Sequence, residues 1–430
     1  MPGSALQQRD QLQFSKLFKA EKRNRHLPVG CVHDQEGAVT DMEEPLNFES
    51  LPEPEAHPEA PGRKGLRLVA AVLSLALTLG LLAMLLQTTH PSRSVQSVNT
   101  DIPDLFGQYL SGQLNATLEG MIPTKRIYKL SDRDLAAPEP DQARYGETKK
   151  ASELQWLFDE AAELLDGQST LFTPKTSVRR GSKINYYLDE TIMAITWRKV
   201  MDDCEYTFTE IKIAHPTQIR RYLSGGTYDS GVLHKTTEMS DTVNAVVASA
   251  GDYYAYRKIG VVVNNGTVYR AQGRTMDTCY IDENGDLLFT KRRELADEEA
   301  VKRFVEENNV RFSLSFGPLL LRDGKYSIPG YYPVGEIDEE FARSAICQLD
   351  KLHYVLVTAN IAFTEQKVPT IAQFARSLKR MGIPTAYALD GGQTATITMN
   401  DKLMNRVSYG AEREISDIIY FATAIPNEGN

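Results

Sequence analysis

The chain has little that would cross-link it or hold a metal. Four cysteines occur in 430 residues, with no CxxC pair among them. Their number and spacing exclude a disulfide scaffold and a cysteine-based zinc site. Histidine is almost as scarce. After residue 90 only His215, His234 and His353 occur, far apart and without HxxxH or HExxH spacing. A histidine metal site or a Ser-His-Asp triad would need folding to gather distant residues. No GxxxxGK followed by Ser or Thr is found, and no GxGxxG follows a strand pattern, so nucleotide cradles are not indicated. Positive charge is also short: 48 Lys and Arg against 57 Asp and Glu leave a net charge of −9, which argues against a nucleic-acid partner. No internal repeat is visible.

One long apolar run is present, "LVAAVLSLALTLGLLAMLL", Leu68 to Leu86. As a helix it would span roughly 28 Å, close to the thickness of a bilayer's hydrocarbon core. It lies too deep in the chain for a signal peptide and shows no polar stripe of the kind a buried core helix carries. Arg63, Lys64 and Arg67 precede it, whereas only Arg93 follows closely. The positive-inside rule then puts the N-terminus in the cytoplasm and the chain from about His90 onward outside. The expected organisation is a mostly disordered cytoplasmic tail (1–65), a transmembrane helix (66–88), an extracytoplasmic helical neck (89–180) and a strand-rich domain (181–430). Phe14, Leu17 and Phe18 in the tail fit either a membrane-touching helix face or a short solvated helix. Cys31 is then cytoplasmic. Cys204, Cys279 and Cys347 lie outside, as three buried thiols or as one bridge and one thiol.

In the neck, "DLFGQYLSGQL" and "ASELQWLFDEAAELL" carry helical spacing. From about residue 180 the pattern turns to strands. "INYYLD", "TIMAITWRKV" and "CEYTFTEIKIA" are rich in β-branched and aromatic residues. "VVVNNGTVY", "CYIDENGDLLF", "AICQLDKLHYVLV" and "TITMNDKLMN" each place Asn, Asp or Gly between apolar runs, the sign of a hairpin. Two helices interrupt them, "DEEAVKRFVEENN" and "TIAQFARSLKRMG", the second ending at Gly382 as a C′ glycine. These features predict an α+β fold, a largely antiparallel or mixed sheet with inserted helices, preceded by one transmembrane helix.

With His, Cys and nucleotide motifs set aside, carboxylates, arginines and glycine-backed amides remain for chemistry. "YALDGGQT" places Asp390 at a strand end followed by Gly391 and Gly392. Bare backbone of this kind lets amides approach an anion, and it equally suits a tight turn capped by the aspartate. The surrounding order of segments resembles the phosphodiester glycosidase family, which includes the mannose-6-phosphate uncovering enzyme and bacterial exopolysaccharide-associated proteins. The family's LDGG corner is Leu389 to Gly392, and its Gly-x-Glu-Arg segment is Gly410 to Asp417. Its arginine-led strand is "RSAICQLD" from Arg343, its helix before the corner is "TIAQFARSLKRMG", and "VVASAGDYYAYRKIGVVVNNG" resembles an earlier glycine-rich element. The resemblance covers about residues 185–425. Gln393 departs from the small residue usual in the corner, and Ser249 or Ala250 stands where an asparagine is usual.

The resemblance implies a membrane-anchored extracytoplasmic hydrolase that cleaves sugar-1-phosphodiester bonds in cell-wall or exopolysaccharide glycans. The alternative is a non-catalytic surface module that binds phosphorylated glycans, which the Gln393 departure favours. A phosphate leaves readily, so the demand for a general acid is relaxed; a carboxylate and anion-binding donors suffice. On this reading Asp390 is the base or nucleophile and Glu412 the reserve acid or base. Arg343 and Arg413 clamp the phosphate, unless Arg413 pairs with Glu412 structurally. Gly391 and Gly392 supply amides, Thr394 a hydroxyl, and Gly251 and Asp252 line the pocket. The implied partner is a phosphorylated glycan or cell-envelope polymer, and the sequence specifies no cofactor and no metal ligands. If the span is oriented as argued, protease added to intact cells removes the C-terminal domain and spares the tail, as read by immunoblots against each end. Protection of the C-terminus would reverse the topology.

Overall fold

The computed structural model describes residues 129–132, 134–333, 337–360 and 367–426. The expected tail, transmembrane span and first neck helix lie outside the described residues. Among the described residues no helix is long and apolar enough to cross a membrane.

Strand β1 (Tyr145–Thr148) is followed by the short helices α1 (Gln155–Glu160) and α2 (Ala162–Leu165). A meander comes next: β2 (Ile184–Leu188), β3 (Ile192–Met201) and β4 (Cys204–Ile213). Then come β5 (Ile219–Leu223), α3 (Thr236–Thr242) and β6 (Val247–Ala250). The middle holds β7 (Gly260–Asn264), β8 (Thr267–Gln272), β9 (Thr278–Asp282), β10 (Leu287–Thr290), α4 (Glu298–Glu307) and β11 (Val310–Leu314). After β12 (Leu319–Arg322) and β13 (Lys325–Tyr326), the hairpin β14 (Arg343–Asp350) and β15 (His353–Asn360) leads to α5 (Ile371–Arg380). The described residues close with β16 (Thr385–Leu389), β17 (Ile397–Met399), β18 (Lys402–Leu403) and β19 (Asp417–Phe421).

Among the described residues the strands form three sheets, and every pairing in them is antiparallel. The large sheet runs β1-β2-β3-β4-β15-β14-β16-β12-β13; the others run β10-β9-β11-β7-β8 and β18-β17-β6-β19-β5. This is the α+β class expected, with three sheets in place of one. All four anticipated hairpins are present. In the β7–β8 turn Asn265 and Gly266 have φ of 47° and 75°, the left-handed pair that a two-residue hairpin turn needs. Helix α4 is capped by Asp297, whose carboxylate accepts from Ala300 N (2.8 Å). Helix α5 starts with a Thr370/Gln373 capping box and ends before Gly382, whose φ is 86°.

Central strands β4 and β15 are buried along their whole length. Side chains alternate across them, as a period of two requires. Tyr206, Phe208 and Trp197 join a cluster under α1, α2 and α5, while Ile211, Ile213 and Tyr354 join a second cluster with residues of the two smaller sheets. Trp197 packs on Phe172 and Phe208 at ring distances of 5.1 and 5.3 Å. Cys204, Cys279 and Cys347 are buried free thiols.

The boundary expected at residue 181 is corrected. β1 pairs with β2, and Leu154, Leu157, Ala161, Leu165 and Phe172 are buried in the first cluster. The apolar stripe read as a neck helix is the cover of the large sheet's outer face, so the strand-rich body begins well before 181. The stripe is also broken: the helix ends at Glu160 and restarts at Ala162.

Between the two smaller sheets lies a buried ion cluster. Arg221 on β5 is fully enclosed; its Nε donates to Asp417 Oδ2 (2.7 Å) and its Nη2 is 3.8 Å from Asp252 Oδ2. Its Nη1 donates to Val263 O (3.3 Å) and Ser313 O, which belong to β7 and β11 of the other sheet. Burial pushes the Asp417 carboxyl up, with Arg221 opposing. Removing one partner of such a cluster leaves uncompensated charge inside, at a cost of about 3–5 kcal/mol. Arg221→Met is therefore expected to lower the unfolding free energy by that amount, read as a lower urea midpoint. An unchanged midpoint would mean that the cluster does not hold the two sheets together.

Candidate active site

Three strand ends meet at the corner after β16. Asp390 N donates to Gly251 O (3.3 Å), just past β6, and Gly251 N donates to Asp417 O (3.1 Å) at the start of β19. Two of the glycines here are required by close approach. A Cβ on Gly391 would sit 2.6 Å from Ala342 O, and one on Gly251 would sit 2.5 Å from Asp417 Oδ2. Gly392 N donates to Ala342 O at 2.7 Å, so the expected two-amide anion cradle is corrected: this amide is already engaged. The Thr394 hydroxyl donates to Gly391 O (2.7 Å) and braces the turn.

Asp390 is only 8 % exposed, and its Oδ2 has no hydrogen-bond partner. Burial pushes its pKa up to about 6; Thr394, Arg257 and Arg413 draw it back, and Asp252 raises it. Arg413 is exposed and lies over the Tyr256 and Tyr253 rings at 5.0 and 5.6 Å, donating to the Tyr253 hydroxyl (3.3 Å). Partial burial works against its charge, but Tyr253, Tyr256 and Asp390 outweigh that, so its pKa is raised. Tyr253 and Tyr256 are themselves stacked 4.3 Å apart.

Other anticipated residues are turned elsewhere. Arg343 is buried; its Nε donates to Pro369 O (3.2 Å) and its Nη2 to Glu339 O (2.6 Å). Its flat fork satisfies backbone carbonyls of two loops, which corrects its assignment as a phosphate clamp. Glu412 accepts from the backbone N (3.3 Å) and hydroxyl (2.7 Å) of Thr237 in the first turn of α3. It ties that helix to the 408–416 loop, so neither the reserve acid/base role nor a pair with Arg413 is seen. Asp252 accepts from Ser315 N (2.8 Å) and Tyr253 N (2.5 Å) and shares the Arg221 cluster; with Gly251 it forms scaffold behind Asp390. Gln393 donates to Ala411 O (3.0 Å), linking the corner to the Arg413 loop.

Sequence reasoning missed Arg257, which acts on Asp390 more strongly than Arg413 does. Its guanidinium lies 4.6 Å from the Tyr253 ring centre and 4.7 Å from that of Phe316. Burial lowers its pKa, and Asp390 and Asp252 oppose this. The run "DYYAYR" was the available signal, aromatics spaced beside an arginine. Phe316, remote in sequence, had none. Cavities of about 570 and 510 Å³ lie elsewhere, one beside Phe289 and Gln348 and one beside Asn265 and Arg311; Asp390, Arg257 and Arg413 line neither.

Residues 242–422 match the family model described as phosphodiester glycosidase. Over this stretch the chain is similar to phosphodiester glycosidases, a family of hydrolases. The match includes Asp390, Arg257 and Arg413 and begins after β5, later than the resemblance read from about residue 185. Among solved structures, the chain is similar to the catalytic domain of zebrafish N-acetylglucosamine-1-phosphodiester alpha-N-acetylglucosaminidase, auto-inhibited by its pro-peptide. Identity there is 19%, with 61% of this chain and 92% of that one covered and a TM-score of 0.46. It is also similar to a hypothetical protein from Synechocystis at 13% identity, covering 56% of this chain and 64% of that one, with a TM-score of 0.40. No curated protein matches the chain significantly.

A raised carboxyl makes a stability prediction with a definite sign. Its folded-state pKa of about 6 exceeds the ordinary 3.8, so ionisation favours unfolding. The penalty is absent below about pH 4 and complete above pH 6, worth up to about 3 kcal/mol. Asp390→Asn removes the charge, so its Tm is expected to exceed wild type at pH 8, with the advantage closing by pH 4. Equal Tm values at both pH values would show that this carboxyl is not desolvated.

Proposed function

We propose that this protein is a membrane-anchored extracytoplasmic hydrolase that cleaves sugar-1-phosphodiesters of cell-wall or exopolysaccharide glycans. One observation supports the chemistry above others. Asp390 is a buried carboxylate with an open oxygen, flanked by two guanidiniums that do not neutralise it by contact. At neutral pH a carboxyl with a pKa of about 6 is mostly ionised and still basic enough to take a proton. In the proposed reaction Asp390 accepts a proton from water as the water oxygen attacks the anomeric carbon. The bond from that carbon to the phosphate oxygen breaks, and its electron pair leaves with the phosphate. The alternative is that Asp390 attacks first and water releases the sugar from the resulting ester. In both, Arg413 on its tyrosine shelf favours the developing negative charge.

Anchoring rests on the apolar run 68–86 and the charges that precede it. The glycan polymer as substrate rests on family resemblance. The non-catalytic reading leaned on Gln393, whose side chain is tied to Ala411 O rather than placed against Asp390.

The test is a panel of methyl sugar-1-phosphodiesters, with release of reducing sugar as the readout. The full chain is expected to turn over at least one, with kcat/KM rising as pH passes about 6, where Asp390 ionises. Asp390→Asn should lower kcat by about 10²-fold or more. No release from any member of the panel, or an asparagine variant as active as wild type, would overturn this reading.

A further inference from the structure

Arg257 lies in the loop after β6 with its guanidinium carbon 4.6 Å from the Tyr253 ring centre and 4.7 Å from that of Phe316. Contact of a guanidinium with aromatic rings holds it by cation–π attraction and leaves its edge N–H groups to donate elsewhere. Its Nη1 is buried and has no partner, and neither has Oδ2 of Asp390. Among the described residues neither Arg257 nor Arg413 makes an ion pair. Each nevertheless acts electrostatically on Asp390. A buried donor and a buried acceptor left open in one neighbourhood are a standing cost to the fold.

The two arginines also share a ring, since Tyr253 lies 4.6 Å from Arg257 and 5.6 Å from Arg413. Their convergence without an ion-pair partner calls for an anion. A phosphodiester supplies two unesterified oxygens, which suit the parallel donors along a guanidinium edge. An alkyl glycoside supplies nothing for them. The loop is held firmly enough for such a contact: Arg270 Nη1 donates to the carbonyls of Arg257 (2.6 Å) and Tyr254 (3.2 Å).

We propose that Arg257 binds the phosphate of the phosphodiester substrate, with Arg413 as the second cation, and that Phe316 and Tyr253 are positioning residues for it. This deepens the hydrolase reading and rests on it for the identity of the substrate. It gives Arg257 the task that the sequence had suggested for Arg343.

The full chain is compared as wild type, Arg257→Lys and Phe316→Leu. Three measurements are made: kcat and KM separately on a methyl sugar-1-phosphodiester, calorimetric affinity for inorganic phosphate, and Tm. Lysine keeps the charge but loses the plane and the paired donors. Turnover and phosphate affinity are both expected to fall roughly ten- to a hundredfold. Phe316→Leu leaves Arg257 in place but unclamped, and is expected to raise KM with little change in kcat; it carries the test should the lysine variant not fold. A folded lysine variant equal to wild type in turnover and phosphate affinity overturns the proposal, while wild-type turnover keeps the hydrolase reading. Phosphate binding that is lost in Arg257→Lys, in a wild type that hydrolyses nothing, supports the anion site and overturns the hydrolase reading. A wild type that neither hydrolyses the diester nor binds phosphate overturns both.

Discussion

A single enclosed guanidinium sets the geometry behind the candidate active site. Arg221 reaches from β5 to Asp417 on β19, to carbonyls of β7 and β11, and toward Asp252 in the loop after β6. Only a long, planar, five-donor side chain can serve acceptors on so many elements, and a lysine ammonium could not. Buried ions of this kind are weak devices for stability, because desolvation offsets most of the attraction. Their merit here is positional. Asp252 is fixed between Arg221 and the Ser315 amide, and Ser315 adjoins Phe316. Tyr253 follows Asp252 directly, so both rings that flank Arg257 hang from the same cluster.

The local parts of this arrangement were legible in the sequence, and the long-range parts were not. Hairpin turns such as Asn265-Gly266 depend on the left-handed preferences of two adjacent residues, which the sequence displays. Helix α5 was equally plain, since its cap residues Thr370 and Gln373 are three apart. Asp390 was found because a strand end followed by two glycines is a local pattern. Arg343 and Glu412 were misread because what occupies a side chain depends on its partners. Arg343 serves carbonyls at 339 and 369, and Glu412 serves Thr237, some 175 residues away. Arg257 was overlooked for the same reason, since Phe316 comes beside it only through packing.

Amphipathic periodicity misled in another way. The stripe of Leu154, Leu157, Phe158, Ala161 and Leu164 announced a helical face, but not what that face covers. A neck and a sheet-covering element present the same spacing. They differ only in whether a sheet with an open apolar face lies near, and β3 and β4, with Trp197 and Phe208 on that face, provide one.

The separation between Asp390 and its cations bears on why the proposed chemistry suits this site. Had Arg257 or Arg413 closed onto the carboxylate, its charge would be offset by contact and its pKa drawn down further. Burial wins instead, and the carboxyl rests at about 6. A base works best when its proton affinity lies close to the working pH, and a direct salt bridge would remove that affinity. The same gap leaves Oδ2 of Asp390 and Nη1 of Arg257 buried and without hydrogen-bond partners. A water donating to Asp390 beside the anomeric carbon, with the substrate's phosphate on Arg257, would satisfy both at once. The two roles need charges that are near enough to influence each other and too far apart to pair, and the frame pinned by Arg221 holds them so.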